Sequence, residues 1–204
     1  MTMTPLERFE ALVLSQQPAD KPWTPVTDYS VEARTSIEGQ HPALIRTTFF
    51  PKRVVDAGSG YGYLVAALRA LGIEAHGFDT HPKGQWCQQK SLTNTDFRMS
   101  PESFDLVICR EVLEHLTILQ IRQAVTNLCK LSTRYAYVTT RFSKDQSHLL
   151  NVDTSDELDP THITMLTQDF LRVLFVLEGF KRRADLEEKL DWMKKGRVLV
   201  YERV

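Results

Sequence analysis

The stretch "VVDAGSGYGYL" at residues 54–64 constrains this chain more than any other. Two β-branched residues run into an acid, three glycines then alternate with other residues, and the helix-like "LVAALRALG" follows. A strand that breaks on glycines and re-enters as a helix brings bare backbone up to a ligand. The flanking chain alternates strand and helix in the same way. The segments "KRVVDAG", "IEAHGFD", "FDLVICR" and "RYAYVTTR" predict strands at 52–57, 73–79, 104–110 and 134–141, with helices at 62–71 and 112–131. Their apolar residues fall in succession, as in strands covered on both faces.

At 204 residues the chain suits one domain with a sizeable core. The expected fold class is α/β, a single doubly wound, mostly parallel sheet. Residues 5–15 have a short amphipathic helical pattern, and 16–30, with Pro18, Pro22 and Pro25, read as an extended arm. A second helical stretch covers 31–49. Residues 1–50 are therefore assigned to an N-terminal helical arm and lid, and 51–204 to the main domain, with 142–165 as a loop on its mouth. Near the C-terminus "TQDFLRVLFVLEGF" predicts a helix with Thr167 as N-cap and Gly179 as C-cap. The segments "FKRRADL" and "GRVLVYERV" then predict two strands paired as an antiparallel edge hairpin.

A net charge of −1 gives no global field toward nucleic acid or anionic membrane. The clusters "KRR" at 181–183 and "KKGR" at 194–197 read as solvated faces. Cys87, Cys109 and Cys129 are odd in number and lack metal-type spacing, which suits reduced thiols and a cytoplasmic setting. The N-terminus has no basic start, and no apolar run approaches the length of a membrane span.

The glycine loop narrows the ligand. The dinucleotide fingerprint beginning at Gly58 requires glycine at position 63, where Tyr63 stands, and no Lys-Ser/Thr pair follows to make a phosphate-binding P-loop. The spacing is D-x-G-x-G-x-G from Asp56 to Gly62. In "VVDAGSGYG" and "SFDLVICREVLEHL" the chain resembles the class I S-adenosylmethionine-dependent methyltransferases, with their Rossmann-like, seven-stranded type of sheet. The resemblance implies S-adenosylmethionine as cofactor. It implies that Gly58, Ser59 and Gly60 approach the methionine portion, that Asp56 faces its ammonium or orders the loop, and that Asp79, 17 residues after Gly62, accepts the ribose hydroxyls. It also implies that the end of the fourth strand, at Cys109, runs under the sulfonium. Only 24 residues separate Asp79 from Phe104, so the second helix and third strand of that family must be abbreviated. Within this span Asp96 is the candidate partner of the adenine amine, and Trp86 a weaker stacking candidate.

Glu111, Glu114 and His115 are spaced i, i+3 and i+4, which on a helix puts them within an arc of about 100°. The same E-x-x-E-H arrangement occurs in ubiquinone-pathway O-methyltransferases and in small-RNA 3′-terminal 2′-O-methyltransferases. In the latter group a later histidine completes a magnesium site, and "DPTHITMLT" offers His162. The resemblance therefore implies that Glu111, Glu114, His115 and His162 hold Mg²⁺, or that Glu111, His115 and His162 serve in proton transfer. An ion-paired helix surface and a histidine used only for packing are the plainer alternatives. The expected function is O-methylation of a small molecule. An RNA 3′-terminal 2′-O-methyltransferase, drawing on Arg141, Lys144 and 181–183, is the alternative, and a non-catalytic methyltransferase-like subunit is another. Tyr29 and Arg34 of the arm are expected to help build the acceptor pocket.

Overall fold

The structure, a computed structural model, describes residues 39–99, 103–143 and 159–204, together with 4, 7, 10, 11 and 14–16. Trp23, Tyr29, Arg34 and Lys144 lie outside the described residues, as do 17–38 of the arm and 144–158 of the loop. The chain folds in the order α1 (His41–Phe49), β1 (Arg53–Ala57), α2 (Tyr63–Ala70), β2 (Glu74–Asp79), β3 (Cys87–Gln89) and β4 (Phe104–Arg110). It continues with a 3₁₀ turn (Leu113–His115), α3 (Ile118–Leu131), β5 (Ser132–Thr139), α4 (Gln168–Leu177), β6 (Phe180–Arg182), α5 (Ala184–Leu190) and β7 (Val198–Arg203).

One seven-stranded sheet results, ordered β3-β2-β1-β4-β5-β7-β6. All neighbouring pairs are parallel except those made by β7, which runs antiparallel to both β5 and β6. This is the mostly parallel α/β sheet that the strand pattern predicts, of the Rossmann-like, seven-stranded type that the resemblance implies. The two last strands pair as expected, but helix α5 connects them in place of a plain hairpin, and β7 slots inside the edge. Side chains alternate across the pleat. Val55, Val107, Cys109, Val138 and Leu199 enter one apolar layer with α3 and α4, while Val54, Leu106, Ile108, Tyr137 and Val200 enter the other with α1, α2 and α5.

The strand order reverses between β1 and β4, which opens a crevice beyond their carboxyl ends. Two local features shape that crevice. The short span after Asp79 leaves β3 only three residues long, and residues 80–86 cross directly over the glycine loop, where the Lys83 amide donates to the Gly60 carbonyl (2.9 Å). Gly62 and Gly84 meet there so closely that a Cβ on Gly62 would stand 2.7 Å from the Gly84 Cα.

The helix expected at 112–131 is corrected. Its α-helical part begins at Ile118, preceded by the 3₁₀ turn and by Glu111 at φ 51°. The reason is a capping box. Thr117 accepts from the Gln120 amide and the Gln120 side chain accepts from the Thr117 amide, so the helix starts there. Glu111, Glu114 and His115 therefore do not share one α-helical face. At the other end of the chain, Thr167 caps α4 as predicted, accepting from the Phe170 amide.

Candidate functional site

The glycine loop is built by three turns of the backbone through positive φ, 77° at Gly58, 49° at Gly60 and 74° at Gly62. Its amides face β2: those of Gly58 and Ser59 both donate to the Phe78 carbonyl, and that of Gly60 donates to Asp79 Oδ2 at 3.0 Å. Asp79 Oδ1 accepts from the His81 amide at 2.9 Å. Oδ1 also accepts a longer bond from the Thr80 hydroxyl (3.4 Å), so Oδ2 is the oxygen that keeps accepting capacity for a ligand hydroxyl. A Cβ on Gly60 would meet nothing within 4 Å, so the loop is open on the flank beside Asp79. Asp56, near the end of β1 and 7% exposed, acts together with Asp79 on the Cys87 thiol under the loop, so its carboxylate lies close by. An open glycine backbone flanked by two carboxylates fits a ligand carrying an ammonium and a vicinal diol.

On its other flank the loop is closed. A Cβ on Gly58 would stand 2.3 Å from Val112 Cγ2, so the segment after β4 lies against the loop. Gly58→Ala combines this overlap with a left-handed backbone. It is expected to destabilise the fold by about 1–2 kcal/mol for the conformation and about 1–3 kcal/mol for the overpacking. Thermal unfolding measures the loss, and adding Val112→Ala is expected to recover only the second part.

The remaining candidates are placed as follows. Cys109 is fully buried in the layer under α3, because strand alternation turns its side chain away from α1, and burial pushes its thiol well up. Asp96 stands on an exposed turn, and Trp86 is an exposed ring with the Arg69 guanidinium 4.7 Å from its centroid. Cys87 is a residue that sequence reasoning missed: its sulfur fills the space beside Gly62, Gly77 and Gly84 under the loop. A cavity of about 380 Å³ lined by Lys52, Arg53, Glu74 and Thr133 lies at the opposite, amino end of the strands and is separate from the crevice.

Past β4 the chain gathers an acid and two imidazoles. Ligand atoms of Glu114, His115 and His162 lie within 4.8 Å of one another, and the two rings are 4.9 Å apart. Glu111 interacts with Glu114 but also turns its carboxylate toward Arg197 (3.5 Å), and it is exposed. Glu114 is wholly buried. Its Oε2 accepts from the Thr140 hydroxyl (2.8 Å), while Oε1 is buried without a partner among the described residues. Burial, and then the neighbouring Glu111 carboxylate, push Glu114 well above the usual carboxylate range.

That shift has a defined sign. Folded Glu114 holds its proton more tightly than the unfolded chain does, so the folded state loses stability as pH rises from the ordinary value of 4.5 through the raised one. Glu114→Gln removes the titrating carboxyl, so it is expected to flatten that decline and to gain stability relative to the parent as pH rises from 5 to 8. Thermal unfolding of both proteins from pH 5 to pH 8 tests this, and equal slopes would count against a raised carboxyl.

His115 is held in one tautomer. Its Nδ1 lies 3.1 Å from the Thr161 carbonyl and 3.0 Å from the Thr161 hydroxyl, and that hydroxyl donates to Asp159 Oδ1 at 2.6 Å. Both neighbours of Nδ1 are thus acceptors, so Nδ1 carries the proton and Nε2 of the neutral ring keeps its lone pair. Burial, then the adjacent His162, lower the pKa of His115 below 6.5. Asp159 was not legible as a site residue. Burial acts to raise its pKa, but the Thr161 hydrogen bonds hold it down, and its Oδ2 lies 3.7 Å from His162 Nε2. The signal available was the "DPTH" spacing, an acid three residues before the histidine.

The sequence matches a family model described as a methyltransferase domain over residues 34–184. Among curated proteins, ubiquinone biosynthesis O-methyltransferases of Xanthomonas campestris pv. campestris are 30% identical over 133 residues, covering 55% of this chain and 50% of theirs. The chain therefore spans about half the length of the curated relatives it matches. Magnesium protoporphyrin IX methyltransferase of Synechocystis PCC 6803, solved with bound S-adenosylhomocysteine, aligns with a TM-score of 0.57 at 19% identity over 98% of this chain and 94% of that one. A sugar N-methyltransferase of Streptoalloteichus sp. ATCC 53650 aligns with a TM-score of 0.58 at 12% identity, over 92% and 98% of the two chains. At these identities the likeness is one of fold.

Proposed function

The chain belongs to the methyltransferase-domain family, and from that premise we propose that it methylates an oxygen atom of a small-molecule acceptor, with S-adenosylmethionine as donor and His115 as proton acceptor. The observation that carries this reading is the tautomer of His115. A neutral, half-buried imidazole whose Nδ1–H is committed to Thr161 keeps Nε2 as its basic nitrogen, on the segment that follows β4.

When bound, S-adenosylmethionine supplies an electrophilic methyl group with a neutral thioether as leaving group. The residues that would hold it are Asp79 at the ribose hydroxyls, Asp56 at the ammonium, and the Gly58–Gly60 backbone along the methionine portion. The chain's own contribution is then to align the acceptor hydroxyl, exclude water and receive its proton at His115 Nε2. His162, packed on His115, and Asp159 behind both keep the receiving ring in place. The curated relatives are named as O-methyltransferases, which favours oxygen over nitrogen as the accepting atom.

The cation reading expected from the sequence is supported by the spacing of Glu114, His115 and His162. The donor set of two imidazoles and one carboxylate suits a transition ion such as Mn²⁺ better than Mg²⁺, which takes oxygen ligands. An ion there would lower the pKa of a bound hydroxyl. The RNA reading loses support at 181–183: Arg182 pairs with Glu187 (2.7 Å) and Arg183 with Asp185 (2.7 Å) and Glu202, so two of the three charges are already matched.

A tritiated-methyl transfer assay over metabolite and RNA fractions tests the reading, run with Mn²⁺, with Mg²⁺ and with chelator. Label in a small metabolite, released as a base-stable ether, is the expected result. Label in RNA alone would replace the small-molecule reading, and calorimetry showing no S-adenosylhomocysteine binding would support the non-catalytic alternative.

A further inference from the structure

Gln16 belongs to the N-terminal region, yet its side chain is held beside the acid-histidine cluster, on the residues that follow His115 and His162 in the chain. Its Nε2 donates to the Ile163 carbonyl (2.8 Å) and to the Thr164 hydroxyl (2.9 Å), and its Oε1 accepts from the Ile118 amide (2.9 Å). The partners settle which end of the carboxamide is which, since a backbone amide only donates and a carbonyl only accepts. Ile118 is the first residue of α3, and its amide is one of the first-turn donors that have no partner inside the helix. Thr117 satisfies the Gln120 amide, and Gln16 satisfies that of Ile118, so the cap of α3 is completed from over a hundred residues away.

The same three bonds straddle a seam. The amides of Ile163 and Thr164 donate to the Glu114 carbonyl (2.9 and 3.2 Å), and the Thr164 hydroxyl donates to the Leu116 carbonyl (2.6 Å). Glu114–Leu116 and Ile163–Thr164 are thereby laced side by side, with His115 on one stretch and His162 next to the other. Gln16 bonds to Ile163–Thr164 and, two residues past the end of the other stretch, to the Ile118 amide.

We propose that Gln16 is a positioning residue for the His115–His162 pair, clamping the start of α3 to Ile163–Thr164 so that the two rings are held in register only while the Gln16 carboxamide is seated. The significance of that register for catalysis rests on the reading of His115 as proton acceptor. The clamp itself does not.

The test uses the full chain saturated with S-adenosylhomocysteine and needs no methyl acceptor. In Gln16→Ala, exchange of the Ile118 amide hydrogen is expected to accelerate by about tenfold, as for a lost helix cap. The imidazole ¹⁵N resonances of His115 and His162 are expected to shift together, with S-adenosylhomocysteine affinity within about twofold of the parent. Gln16→Glu keeps the acceptor for Ile118 and loses both donors, so it is expected to retain Ile118 protection while still moving the imidazole signals. This second variant also decides the matter should Gln16→Ala fail to fold. Unchanged Ile118 exchange and unchanged imidazole resonances in a folded Gln16→Ala, or unchanged imidazole resonances in Gln16→Glu, would overturn the proposal. Retained methyl transfer in His115→Gln would overturn the base assignment instead, and it would leave these spectra as they are.

Discussion

His115→Gln is expected to slow methyl transfer by about a hundred- to ten-thousandfold, the usual contribution of a positioned general base, while S-adenosylhomocysteine affinity stays within about twofold. Glutamine can still donate to the Thr161 carbonyl, so the surrounding contacts survive and only the basic Nε2 is lost. The effect should fall on kcat, because the proton moves in the transition state and not on substrate binding. Rates of the variant within threefold of the parent, on the acceptor found in the tritium assay, would remove His115 from the chemistry. The pH profile supplies an independent check. Burial and the neighbouring His162 hold the pKa of His115 below 6.5, and the base works only when neutral, so activity is expected to fall on the acid side at a pH below that value. That limb should disappear in His115→Gln.

Asp79→Ala is expected to weaken S-adenosylhomocysteine binding by about a hundredfold, corresponding to about 3 kcal/mol for charge-assisted bonds to two ribose hydroxyls. The same change strips the Gly60 and His81 amides of their acceptor, which loosens the loop as well as the sugar site. Calorimetry with S-adenosylhomocysteine reads the affinity. The variant Asp79→Asn separates the two contributions: it keeps an acceptor oxygen for the loop and loses the charge, and it should fall between parent and alanine. Affinity of Asp79→Ala within threefold of the parent would place the ribose elsewhere.

The strands and the glycine loop were legible because their signals are local. A strand buried on both faces must be apolar at successive positions, and a backbone turning through positive φ selects glycine, so "VVDAGSG" and "FDLVIC" could be read without partners. Of the acid-histidine cluster, Glu114, His115 and His162 were legible as residues that come together, whereas its form, the departure of Glu111 and the presence of Asp159 were not. Glu111, Glu114 and His115 were placed on a helix by their spacing, yet the T-x-x-Q capping box at Thr117–Gln120 starts α3 later and leaves a 3₁₀ turn, with Glu111 in a left-handed conformation beside Arg197. That box was itself readable in "TILQ" and is the signal that outranked the periodicity. Asp96 and Trp86 were drawn from a span with no periodic pattern, and both prove exposed.

By itself the sequence determined what the peptide backbone can do alone: where it extends, where only glycine turns, where a hydroxyl starts a helix, and hence the layered α/β sheet with a crevice at its strand ends. Tertiary structure decided everything that depends on desolvation and on contacts between distant segments. Whether Glu114 is buried, which nitrogen of His115 carries the proton, and that Gln16 and Asp159 stand behind the histidine pair all follow from segments brought together across the chain. Charge and tautomer are set by the surrounding dielectric and by hydrogen-bond partners, and neither exists until those segments have met.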